Sequence, residues 1–380
     1  MDLSPILTDR RGVDWLIAHL EAEGYEVVGP TIADGAVVYG RVRSTEDLPI
    51  GWTDVQGPGE YRLVQRDDDA LFGYVVGPTS PKQFLHPPQV KVWTGRAHGD
   101  GVETIPLDPA PRRAFLGVRP CDLAAIDIQD RVFLGGSIHD AVYEDRRRSS
   151  IIIAIDCTEP GETCFCSSLG TGPAASDGFD LAMTELPDGT ILVRSGSDIG
   201  DAIKTAMGGE PATEAAIDRA HLMMEAAAER MGRSLQTAGL KELLYRAARS
   251  PHWDEVAARC LTCSNCTMVC PTCFCAVVDD EASLNGDVAT RTRRWDSCFS
   301  LDFSYIHGGS VRTSGAARYR QWMTHKLASW QDQFGVIGCV GCGRCITWCP
   351  VGIDITAEAT AIRDRAVSGL EDPSLKEAFE

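Results

Sequence analysis

Fifteen cysteines lie along this 380-residue chain, and eight of them fall into two runs of identical spacing. The first run is Cys260-x2-Cys263-x2-Cys266-x3-Cys270-Pro271, and the second is Cys339-x2-Cys342-x2-Cys345-x3-Cys349-Pro350. Three thiolates at such intervals can wrap one face of a cubane from a short loop. The loop amides, helped here by Gly341 and Gly343, can donate hydrogen bonds to the sulfurs. The fourth cysteine, followed by proline, points away and in two-cluster proteins ligates the other cluster. The spacing therefore predicts two 4Fe–4S clusters. One is held by Cys260, Cys263, Cys266 and Cys349, the other by Cys339, Cys342, Cys345 and Cys270. Structural zinc is the competing chemistry, but its sites are usually built from paired C-x2-C units.

The remaining seven cysteines divide into two groups. Cys121 lies in Gly117-Val-Arg-Pro-Cys-Asp122, Cys157 follows the apolar run 151–156, and Cys164-Phe165-Cys166 comes shortly after. Each follows an expected strand, where α/β folds place their sites. Cys121, Cys157, Cys164 and Cys166 are thus candidates for a third 4Fe–4S cluster, against the alternative of buried free thiols. Cys273, Cys275 and Cys298 read as small hydrophobes packed around the clusters, as weak S–H donors, or as ligands.

Other chemistry is missing from the sequence. No strand-to-helix G-x-G-x-x-G occurs, nor a P-loop, an HExxH pair or a G-x-S-x-G elbow. No flavin or NAD(P) site is expected on this chain, and no catalytic residue is assigned. The eight histidines are scattered. Arg291, Arg293 and Arg294 read either as neighbours of anionic clusters or as an exposed basic face. Electron-carrying centres without a catalytic constellation describe a relay.

The elements that must position these residues form two regions. Val13, Leu16, Ile17 and Leu20 predict a helix over 10–23. Strands are expected at 25–28, 36–42, 60–65, 71–77, 114–118 and 151–156, with a helix over 122–132. That order predicts an α/β domain over residues 1–210. Residues 157–190 read as loop-rich. From about 211 the composition turns to Ala, Glu, Met, Leu and Arg, with helices expected within 212–249, 318–332 and 354–367. The fold class expected is α+β: an N-terminal α/β domain, then an all-helical two-cluster ferredoxin domain over 211–380. The long gap between Cys270 and Cys339 requires a frame larger than a compact ferredoxin hairpin.

A formal net charge of −18 and a pI near 4.9 argue against nucleic acid, whose binders carry basic patches, and against an anionic membrane surface. No apolar run approaches the roughly 20 residues of a membrane helix, and the N-terminus lacks the pattern of a signal peptide. A cytoplasmic protein is expected. Reduced thiols in that compartment favour metal over disulfides.

Several segments together resemble a known family. They are residues 117–122, Cys164-Phe-Cys166, the run from Cys260 to Cys275, Trp295-Asp-Ser-Cys298, Arg318-Tyr-Arg-Gln321 and Gly338-Cys-Val-Gly-Cys-Gly-Arg-Cys345. They are similar to the beta subunit of cytosolic NAD(P)-linked NiFe hydrogenases of the sulfhydrogenase type, over roughly residues 110–355. The related iron–sulfur subunit of anaerobic sulfite reductase has much the same layout. The resemblance implies a heterotetramer in which this chain relays electrons beside a flavin/NAD(P)-binding subunit and the NiFe small and large subunits. The eight repeat cysteines are then the cluster ligands. A sulfite reductase context, or a stand-alone iron–sulfur oxidoreductase or redox sensor, are the alternative readings.

Overall fold

The computed structural model describes residues 4–75 and 77–371. In the first half the organising feature is a strand that is apolar on both sides. Ile151, Ile153 and Ile155 of Ser150–Ile155 join one core with Leu116, Leu181 and Met183, while Ile152 and Ala154 join another with Phe115, Val118 and Ala182. Alternate side chains face opposite sides of a strand, so burial of both sets places it inside a parallel sheet covered on two faces. Glu26–Ala33, Arg113–Val118, Ser150–Ile155 and Leu181–Glu185 are successive parallel neighbours. Ala36–Arg41 closes one edge; Ile191–Ser195, Ile6–Thr8 and Glu210–Pro211 extend the other, all antiparallel, giving eight strands.

Helix Arg10–Ala22 packs on the first face through Val13, Leu16, Ile17 and Leu20. Its start is fixed by Asp9, whose carboxylate accepts from the Arg11 and Gly12 amides at 2.9 and 3.4 Å. Pro120–Leu134 and Ala141–Arg148 cover the second face through Leu123, Ile126 and Tyr143.

Of the strand expected at 71–77, residues 71–75 and 77 form none, and residue 76 lies outside the described residues. Side chains rather than a neighbouring strand satisfy their backbone. The Glu185 carboxylate accepts from the Leu71 and Phe72 amides at 2.7 and 2.8 Å, and the Arg119 guanidinium donates to the carbonyls of Phe72 and Tyr74.

The second half is largely helical. Leu240–Arg246, His252–Arg259, the stretch from Gly315 to Phe334 and Ile355–Glu371 surround a core of Leu243, Leu244, Trp253, Tyr319, Met323 and Leu327. It is nevertheless not an all-helical domain, and the expected fold class is corrected to a mixed α+β chain. Ala276–Ala282 and Val288–Trp295 form an antiparallel hairpin. Val288–Trp295 also pairs with Gln89–His98, which pairs with Gly101–Thr104, making a four-stranded sheet from segments on both sides of residue 210. A two-stranded hairpin alone is marginal in water, and the strand from the first half completes this one. Arg291 and Arg294 pair across the hairpin with Asp280 and Asp279, and Arg293 reaches Asp140. These arginines answer local carboxylates; they form neither a free basic face nor a cluster lining.

Candidate iron–sulfur centres

Both cysteine runs adopt the same local form: a loop with left-handed residues, then one turn of helix, Asn265–Met268 in the first and Arg344–Thr347 in the second. Cys260 itself ends helix His252–Arg259, its amide bonded to the Val256 carbonyl at 3.0 Å. The Asn265 side-chain amide donates to the Trp348 carbonyl, tying the two short helices together.

That pairing sets Cys349 among the first-run cysteines. Cys260, Cys263, Cys266 and Cys349 line one solvent-open crevice together with Phe299 and Tyr319, and Cys345 of the second run reaches its edge. Backbone amides point at these sulfurs: Thr262 donates to Cys260 Sγ at 3.4 Å and Ile353 to Cys349 Sγ at 3.3 Å. Burial pushes the Cys266 thiol well up, and the neighbouring Cys260, Cys349 and Cys263 push it further. Cys263 alone of the fifteen cysteines is exposed.

Cys339, Cys342 and Cys345 gather with Cys270. Burial pushes the Cys339 thiol up to about 12. It also raises Cys342 and Cys345, with Cys270 adding to each. Cys270 goes the other way. A hydrogen bond from Cys273 lowers it, burial opposes, and the ammonium groups of Lys326 and Lys82 lower it again. Protonated thiols are the state that burial imposes in the absence of compensation, and iron supplies that compensation when it binds. Each crossing cysteine is therefore found beside the other run.

Cys121, Cys157, Cys164 and Cys166 meet at the carboxyl edge of the parallel sheet. Arg113–Val118 and Ser150–Ile155 are adjacent parallel strands, so the turns after them open side by side. Cys164 and Cys166 lie close enough to Cys157 and Cys342 for thiolate charges to repel, and Cys121 stands in the same relation to Cys342 and Cys166. The group therefore abuts the second cysteine run directly. The Phe165 amide donates to the Gly341 carbonyl at 2.8 Å, and the Thr171 hydroxyl to the Val340 carbonyl at 2.8 Å.

Several polar residues that sequence reasoning missed hold this junction. Arg344, inside the second run, makes a bidentate pair with Asp122 at 2.7 and 2.8 Å, both side chains buried. Thr163, Thr347 and Gln56 share hydrogen bonds of 2.7 to 3.0 Å. Lys326, 2% exposed, donates to Cys270 Sγ at 3.2 Å and to the Gly338 carbonyl at 3.1 Å. Buried Lys82 donates to the carbonyls of Met268 and Cys273 at 3.3 and 3.4 Å. Buried Arg119 donates to three carbonyls, and its Nε has no partner.

These three cations decide whether the thiols fit an anionic cofactor. A buried charge is costly unless paired, yet the hydrogen bonds of Lys326, Lys82 and Arg119 go to sulfur, hydroxyl and carbonyl acceptors, not carboxylates. Burial lowers Lys326, but the neighbouring Cys270 and Cys273 sulfurs outweigh it and hold Lys326 well above its ordinary value. Cations facing thiols fit thiolate-ligated clusters, whose net charge is negative. Among the described residues, no three His, Cys, Asp or Glu side chains converge as a single-ion site requires. The signals were faint in sequence: a lone lysine within Trp322–Trp330, and an arginine between two cysteines of the second run.

Comparison with known proteins points to iron–sulfur chemistry in the region of the two runs. A family described as 4Fe-4S dicluster domain matches residues 259–353. The chain is similar to sulfhydrogenase 2 subunit beta of Pyrococcus furiosus, 34% identical over 307 residues, covering 80% of this chain and 89% of that protein. No solved structure matches it.

Proposed function

The chain belongs to the sulfhydrogenase beta-subunit family and is an iron–sulfur electron-transfer subunit of a hydrogenase, and from that premise we propose how its own residues serve the relay. Cys260, Cys263, Cys266 and Cys349 hold one 4Fe–4S cluster, and Cys339, Cys342, Cys345 and Cys270 hold a second. Cys121, Cys157, Cys164 and Cys166 hold a third. When bound, such clusters supply one-electron transfer at potentials set by charge, hydrogen bonds and solvent exposure.

The protein's contribution is position and electrostatics. Arg344 and Asp122 lock the third cysteine group against the second run. Lys326 and Arg119 offset thiolate charge inside the fold, and the crossing cysteines tie the runs together so that metal binding contributes to folding. Exposed Cys263, with Leu261 61% exposed beside it, puts the first site at the surface, where a partner's redox centre can approach. The third site lies on the far side of the second run. The single observation that carries the reading is this contiguous order of thiol groups from sheet edge to surface.

The partners proposed are a flavin subunit handling NAD(P)H and the NiFe small and large subunits, with no flavin on this chain. Among the described residues no helix is long and apolar enough to cross a membrane, and a cytoplasmic complex is the proposed setting. Anaerobic purification from native cells through a tag on this chain tests the assignment. A NiFe subunit should co-purify, and hydrogen should bleach the visible iron–sulfur absorption of the complex. Recovery with a sirohaem protein instead, and no response to hydrogen, would contradict it.

A further inference from the structure

Three cysteines outside these sites are brought together by the hairpin of Ala276–Ala282 and Val288–Trp295. Cys270-Pro-Thr-Cys273-Phe-Cys275 leads straight into strand Ala276–Ala282, and Trp295-Asp-Ser-Cys298 leaves its partner strand. Ala276 lies opposite Trp295, and the Asp296 amide donates to the Cys275 carbonyl at 2.9 Å. The register therefore delivers Cys298 back onto Cys275. A hydrogen bond of 2.8 Å between Thr267 and Ser297 hydroxyls pins that return to the first cysteine run.

A small cleft lies between this turn and the long helix, lined by Cys273, Cys275, Cys298, His325, Lys326 and Trp330. The helix is not regular there: His325–Ser329 is a π-helical turn, a deviation that concentrates at functional sites. It lets two consecutive residues, His325 and Lys326, share one cleft. His325 Nε2 donates to Gln333 Oε1 at 2.9 Å. That bond leaves Nδ1 as the ring's lone-pair nitrogen, the second-shell arrangement usual for a ligating histidine. Lys326 Nζ stands 3.7 Å from Cys273 Sγ.

We propose that Cys273, Cys275, Cys298 and His325 hold a further iron–sulfur cluster, set against the one that Cys270 ligates. The inference rests on the iron–sulfur reading of the chain but uses none of its twelve assigned cysteines. Packing thiols would need no histidine fixed by its outer nitrogen, no ammonium turned toward sulfur and no π-turn. Three cysteines and one neutral imidazole give a less negative centre than four cysteines, and imidazole ligation raises the potential. Two ferric and two ferrous ions with four sulfides make the 2+ core without further oxidation, and its ligation releases the three thiol protons.

The test uses the full chain, reconstituted anaerobically with equal amounts of ferric and ferrous iron and with sulfide. Cys275→Ala/Cys298→Ala should lose about four irons and four sulfides per chain, with the signals of the reduced repeat clusters retained. His325→Cys should keep its iron while the potential of one centre falls; it also decides the matter if the double variant does not fold. Unchanged iron and sulfide in the double variant would overturn the site, as would a full set of unchanged potentials in His325→Cys. Cys349→Ser run in parallel keeps the two readings apart: it perturbs a repeat cluster whether or not the additional one exists, and its failure to do so indicts the repeat assignment instead.

Discussion

The two cysteine runs share their spacing and their backbone but not their glycines. Thr262 and Ser264 of the first run have φ of +51° and +68°; Gly341 and Gly343 of the second have +64° and +73°. A side chain in the left-handed region costs roughly 1–2 kcal/mol, and the first run bears that cost twice. The second has no room for a side chain unless its neighbours shift. A Cβ on Gly341 would lie 2.6 Å from the backbone of Cys166, and one on Gly343 would lie 2.4 Å from Thr163 Oγ1. The first loop opens to solvent at Cys263, while the second is pressed against the sheet domain. The same metal-binding geometry is thus a surface port in one copy and a junction in the other.

Arg344 and Asn265 occupy equivalent places in the two runs and give the largest expected contrast. Asp122→Ala strands the buried Arg344 guanidinium and should cost about 3–5 kcal/mol. Asn265→Ala removes one hydrogen bond and should cost about 0.5–1.5 kcal/mol. Anaerobic denaturant unfolding of the cluster-loaded protein checks both; equal losses would break the distinction between junction and port.

Smaller effects should follow at the left-handed positions themselves. Gly341→Ala should destabilise by about 1–3 kcal/mol through overpacking against Cys166. Thr262→Gly, which relieves a strained residue, should be neutral or stabilising by up to about 1 kcal/mol. A destabilising Thr262→Gly would mean that its side chain, not its backbone, matters there.

How much of this was legible in the sequence depended on whether the signal was local. Spacing alone pointed to the eight repeat cysteines as a set, and the apolar run Ile151–Ile155 gave a buried strand because β-branched residues on both faces have few other uses. The hairpin at 276–295 carried a local sign, Asn285-Gly286 between runs of Val and Thr. Expectation of a helical ferredoxin frame overrode it. Leu181–Glu185 fell within a stretch read as loop, since Leu-Ala-Met-Thr-Glu has little strand preference of its own. Its state is imposed by pairing with Ser150–Ile155 and Ile191–Ser195. Lys326, Lys82 and Arg119 were invisible for a different reason: burial of a charge is a tertiary property, and nothing beside these residues in sequence announces it.

Cross-ligation is the central claim, because it explains both why the runs pair and why folding should depend on metal. Paired spectroscopy on reduced Cys349→Ser and Cys270→Ser proteins tests it most directly. Cys349→Ser should alter the signal of the surface cluster, the one quenched first by a soluble paramagnetic relaxer, and leave the buried one intact. Cys270→Ser should do the reverse. If Cys349→Ser instead alters the buried centre held by Cys339, Cys342 and Cys345, each run closes on itself and the account is contradicted.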